Sequence, residues 1–168
     1  MLSKKIINEI NGQINQELCA WYSYLTMAAY AEGLNYPGFA LYLRHQAEEE
    51  HGHAMKLYTF LIDWGAEVEL RTIKKPTTAY TSMLNVFQKA LTSEQHVNDR
   101  VNALYEQAFK EKAFAAHLQF QWFVNEQIEE VRNSQWIVEQ LKMAKSDAAA
   151  MLLLDREVAN MATKSHAK

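Results

Sequence analysis

The chain has 168 residues, 49% of them hydrophobic and 22% charged, with five glycines and two prolines, which suits one ordered domain with a substantial core. The net charge of -3, with no block of lysine or arginine at either end, argues against nucleic acid or an anionic membrane as partner. No apolar run is long enough to span a bilayer, MLSKKIINEINGQ does not read as a signal peptide, and Cys19 is the only cysteine, so a cytoplasmic protein without disulfides is expected.

Stretches rich in Ala, Leu, Glu, Gln and Lys favour helix throughout. A first helix is expected over about 4–33, closed by GLNYPG, and a second over about 38–65. The segment GAEVELRTIKKPTTAYTS lacks a helical period and reads as a connection. Its eighteen residues reach roughly 60 Å, more than the roughly 40 Å length of such a bundle, so it can cross from one end to the other. A third helix over about 82–111 and a fourth over 114–143 follow, then a short fifth over 147–161 with Ser146 and Asp147 as its cap. The short turns make helices one and two, and three and four, antiparallel neighbours; the long connection makes two and three parallel. The expected fold is all-α: a ferritin-like four-helix bundle with one long crossover and a short C-terminal helix.

Rotation by about 100° per residue places apolar stripes on each helix. The first runs through Ile6, Ile10, Ile14, Trp21, Leu25 and Ala28, with Glu17 at its centre and Tyr24 two turns on. Glu50 and His53 interrupt the second, between Phe39 and Trp64. Glu94 interrupts the third, and Gln127 and Glu130 the fourth. A single buried Glu or His reads as a satisfied core group, but four helices aiming such side chains inward at matching depth, with no lysine or arginine in the stripes to pair them, call for protons or a metal. Oxygen-rich ligation with one imidazole suits iron better than zinc.

Glu50-x-x-His53 is the element that di-iron bundles supply from one helix, with Glu17 and Glu94 as lone acids from two others. At the matching positions of the fourth helix stand Gln127 and Glu130, so a second iron would have weaker or purely oxygen ligands. Glu130 is placed to serve two metals. Glu49, Glu126 and Glu129 form either a third, more exposed metal site or a solvated acidic face, and the sequence leaves both open.

With Glu17 in NQELCAWYSYL, Glu50 and His53 in RHQAEEEHGHAMKLY, Glu94 in the third helix, and QWFVNEQIEEVRNS around Gln127 and Glu130, the chain resembles the bacterial non-haem ferritins from end to end. The resemblance implies a first iron on Glu17, Glu50 and His53, a second on Glu50, Glu94 and Glu130 with Gln127 beside them, and a third on Glu49, Glu126, Glu129 and Glu130. Tyr24 would conduct electrons or hydrogen-bond near the first iron. The implied activity is that of a ferroxidase: Fe(II) oxidised by dioxygen or hydrogen peroxide, and ferric mineral stored in a shell of twenty-four subunits. Bacterioferritins place a haem-ligating methionine between the Glu and His of the first motif. This chain has His51 and Gly52 there, so no haem is expected. A rubrerythrin-like peroxidase would keep a second Glu-x-x-His and a cysteine pair, a DNA-protecting mini-ferritin would be shorter and share ligands across subunits, and an inert bundle would leave the buried acids unexplained.

Overall fold

The computed structural model describes residues 2–165. Five helices follow one another along the chain: α1 (Lys4–Gly33), α2 (Pro37–Asp63), α3 (Met83–Lys110), α4 (Phe114–Ala144) and α5 (Ala148–Ser165). Their starts have local causes. Ser3 and Ser82 accept hydrogen bonds from the backbone N–H groups of Ile6 and Asn85, and Asp147 does the same for Ala150. The cap of α5 is thus Asp147, while Ser146 turns the chain at a φ of 63°. The fifth helix continues past residue 161, where the sequence pattern ends it, because Val158 and Ala162 extend its buried face.

Two apolar clusters form the core, and the order in which each helix meets them fixes the topology. One holds Tyr24, Met27, Phe39, Leu43, Phe87, Ala90, Ile137 and Leu141. The other holds Ile6, Ile10, Ile14, Leu57, Leu61, Val97, Val101, Phe120 and Phe123. Helices α1 and α4 run from the second cluster to the first, whereas α2 and α3 run from the first to the second, so α2 and α3 are parallel. The crossover returns along α1 in the same direction as that helix. Asn11 bonds to the backbone of Glu67 and Glu69, Asn15 to that of Arg71 and Thr72, and Thr26 meets the Tyr80 hydroxyl at 2.9 Å.

Helix α5 packs on the first cluster through Met151, Leu154, Val158 and Ala162. It also supplies a cap that the sequence near α2 lacks. Tyr36 gives no side-chain cap and Pro37 has no N–H, but the buried Asp155 carboxylate accepts from the N–H groups of Gly38 (3.0 Å) and Phe39 (2.8 Å). Gly38 permits this approach, since a Cβ there would lie 1.9 Å from the Asp155 carbonyl oxygen. Asp155→Ala is expected to cost about 1–2 kcal/mol by orphaning two buried donors, read as a lower unfolding midpoint. Gly38→Ala should be worse, because backbone rather than a side-chain tip must move.

Candidate metal centre

Between the two apolar clusters lies a belt of polar side chains. On α1 it falls between Ile14 and Tyr24, on α2 between Ala47 and Ala54, on α3 between Ala90 and Val97, and on α4 between Phe123 and Ile137. Those intervals hold Glu17, Glu50 with His53, Glu94, and Gln127 with Glu130, all buried. Each lies one turn from an apolar neighbour on its own stripe, except Glu130, which lies two turns from both Phe123 and Ile137, so folding the stripes inward takes these side chains inward with them.

Glu17, Glu50 and His53 each offer one ligand atom within 4.8 Å of the other two. Glu94 sits across the bundle, taking a hydrogen bond of 2.5 Å from the Tyr24 hydroxyl and a longer one of 3.4 Å from the Gln127 amide. Five buried polar atoms among the described residues lack a hydrogen-bond partner: Glu17 Oε2, Glu50 Oε2, His53 Nδ1, Gln127 Oε1 and Glu130 Oε2. His53 Nδ1 is 3.5 Å from Glu50 Oε2, an ion-pair distance without hydrogen-bond alignment. All five atoms are lone-pair donors or can be, all belong to the belt, and buried polar atoms are ordinarily paired. The donor set fits a divalent cation with mostly oxygen ligands.

The electrostatics agree. Burial pushes the Glu17 carboxyl well above the ordinary carboxylate range, with the Glu50 charge adding to it. Burial and then the Glu94 charge do the same to Glu50 and to Glu130. Burial also raises Glu94, to about 7, against the hydrogen bond from Tyr24 that holds it down. The lysine and arginine salt bridges Arg44–Glu32, Arg71–Glu69, Lys110–Glu106 and Lys142–Glu139 lie on the exposed surface and join other acids.

A family model described as a ferritin-like domain matches residues 7–144. The chain belongs to the ferritin family. It is 35% identical over 159 residues to a bacterial non-heme ferritin of Staphylococcus haemolyticus, covering 95% of this chain and 96% of that one. A Staphylococcus aureus counterpart matches at 35% over 158 residues, 94% and 95% of the two chains. Among solved structures, an open-pore ferritin from the archaeon Archaeoglobus fulgidus superposes with a TM-score of 0.93 at 36% identity, covering 95% and 98% of the two chains. A closed form engineered from the Archaeoglobus ferritin gives 0.91 at 38% identity, with 95% and 97% covered.

In this ferritin the bundle opens beside the belt on its α2–α4 side. A cavity of about 560 Å³ is lined by Glu49, Glu126, Glu129 and Glu130 together with Tyr42, His45 and Gln46. Glu49, Glu126 and Glu129 are half-buried. Glu49 lies 3.1 Å from His45 Nδ1 and accepts a hydrogen bond from Gln46, and burial raises its carboxyl above the ordinary range. A second groove shares Glu49, Trp122 and Glu126 and reaches His53, whose ring meets Trp122 and Phe123 edge to face. Lys56 lies 3.7 Å above the Trp122 ring at its margin. Gly52 opens onto this groove with nothing near its missing Cβ, and no feature of the structure requires glycine there.

Three stripe residues stand further out than their spacing implies: Trp21 is half-buried, and Leu25 and Trp64 are exposed. Trp21 lies at the edge of the stripe and packs against the His51 ring, 5.8 Å between centroids, while Trp64 is already the C-cap of α2. Periodicity also passed over Gln13 and His45. Each stands four residues before an acid, at Glu17 and Glu49, and applying the same rotation one turn back finds both.

Proposed function

We propose that this ferritin stores iron and oxidises it on the way in, two Fe(II) ions at a time, at the polar belt inside each bundle. Membership of the ferritin family supports iron storage. The observation that carries the two-ion reading is the coincidence of the five unpartnered buried polar atoms with one ring of side chains. Glu17, Glu50 and His53 would hold the first ion. Glu50, Glu94 and Glu130 would hold the second, with the Gln127 carbonyl beside it. Two ferrous ions supply two electrons, which take dioxygen to hydrogen peroxide or hydrogen peroxide to water.

Unequal ligand sets suit iron as a passing substrate. The second ion has no imidazole, so it is held less firmly than the first and can leave as Fe(III). Glu49, Glu126 and Glu129, sharing the adjoining cavity with Glu130, would take a third ion on that route. Tyr24 donates to Glu94 from the edge of the belt, placed to supply a further electron or to fix that ligand. Oxidised iron would collect as mineral inside a cytoplasmic shell of twenty-four chains, and no haem is required.

Loading tests this directly. Metal-free protein should elute as an assembly near 24 copies of the 19.4 kDa chain, about 470 kDa. Given repeated additions of Fe(II) in air, it should take up iron far beyond three ions per chain while remaining soluble. Uptake that stops at two ions per chain would instead identify a di-iron enzyme.

A further inference from the structure

We propose that Gln13 and Arg100 are positioning residues that aim Glu17 at the first metal ion, an inference that rests on the two-ion reading of the belt. Gln13 lies on α1 one turn before Glu17 and is fully buried. Its Nε2 donates to Glu17 Oε1 at 2.8 Å, while its Oε1 accepts from Arg100 Nε at 3.0 Å. Arg100 reaches across from α3 and is half-buried.

The chain of donors has one direction. A guanidinium only donates, so Arg100 obliges the Gln13 amide to present its oxygen to α3 and its NH₂ to Glu17. Were the amide turned over, its oxygen would confront the Glu17 carboxyl and its NH₂ the guanidinium, placing acceptor against acceptor and donor against donor. With the amide so fixed, Glu17 Oε1 is occupied and Oε2 is left without a hydrogen-bond partner, in a carboxylate that offers a ligand atom within 4.8 Å of those of Glu50 and His53. Gly12 borders the contact, and a Cβ there would stand 3.3 Å from Arg100 Nη2, a tightness that a small shift of the guanidinium tip would relieve. Gln13 and Arg100 would then do for a carboxylate ligand what outer hydrogen-bond partners do for ligating histidines: fix which oxygen faces the metal.

The first ion alone has Glu17 as a ligand, so the effect should be selective. Calorimetric titration of metal-free full-length protein with Zn²⁺ separates the two sites, His53→Ala marking the phase that belongs to the first. Gln13→Leu and Arg100→Leu should each weaken that phase by about tenfold to 100-fold and leave the second unchanged. Arg100→Lys, which can still donate to Gln13, should recover most of the loss. The double variant should be no worse than Gln13→Leu, because both act through one hydrogen bond to Glu17. Should Gln13→Leu fail to assemble, the half-exposed Arg100 carries the test with Arg100→Leu and Arg100→Lys.

A first phase unaltered by these substitutions, or both phases weakened equally, would overturn the positioning role while leaving the two-ion centre standing. Wild-type protein with no tight phase at all would remove that centre and this inference with it.

Discussion

Glu50→Gln is expected to make the metal-free protein more stable at pH 8, by on the order of 1–3 kcal/mol, while weakening metal binding at least about 100-fold. Both effects have one cause. Glu50 is the carboxyl that would serve both ions, burial penalises its charge, and Glu94, Glu130 and Glu49 add repulsion. A neutral amide of the same shape removes that penalty. It also removes the anion that would bridge two cations, and a carbonyl oxygen replaces it poorly. Thermal unfolding of the two metal-free proteins checks the first half and Zn²⁺ calorimetry the second. A variant that unfolds more easily and binds metal as before would make Glu50 a structural hydrogen-bonding residue.

The second large effect is on pH. A carboxyl whose value is higher in the folded than in the unfolded protein keeps its proton longer when folded. The folded state then binds more protons, and stability falls as pH rises between the two values. For Glu94 the window runs from about 4.5 in the unfolded chain to about 7 in the folded one, which amounts to about 3 kcal/mol present at low pH and lost by neutrality. Glu17, Glu50 and Glu130 shift in the same direction and add to it. Metal-free protein should therefore have a lower denaturant midpoint at pH 7.5 than at pH 5.5, and Glu94→Gln should flatten the difference. Bound metal reverses the preference, since ligands must be ionised to bind. Zn²⁺ titrated at pH 6.5 in buffers of different ionisation enthalpy should report protons released. A midpoint rising from pH 5.5 to 7.5 in the metal-free wild type would contradict this reading of the belt.

Both effects arise from residues that the sequence alone brings forward. Glu17, Glu50, His53, Glu94, Gln127 and Glu130 interrupt apolar stripes, and a stripe that must face a core declares where its interruptions point. Loop length declared the crossover, which the Asn11 and Thr26 contacts trace along α1. What periodicity cannot supply is the neighbour across the bundle. Asp155 caps α2 from more than a hundred residues away, and no local signal at Tyr36 or Pro37 announces it. Arg100 lies on α3, and nothing in the sequence around it announces its hydrogen bond to Gln13. Glu49, Glu126 and Glu129 are ambiguous in the sequence for a related reason: half-buried and solvated acids share the same flank of a helix, and only the fold brings all three to one cavity between α2 and α4. At the margins, a side chain on the edge of a stripe, such as Leu25, is exposed or buried according to what its neighbours leave uncovered.

Anaerobic calorimetric titration of the metal-free protein with Fe(II) tests whether the belt holds two metal ions. Two tight ions per chain are expected, with at most one weaker third, and loss of the tight ions in Glu50→Gln. Binding no tighter than that of scattered surface acids, or tight binding that survives in Glu50→Gln, would contradict it.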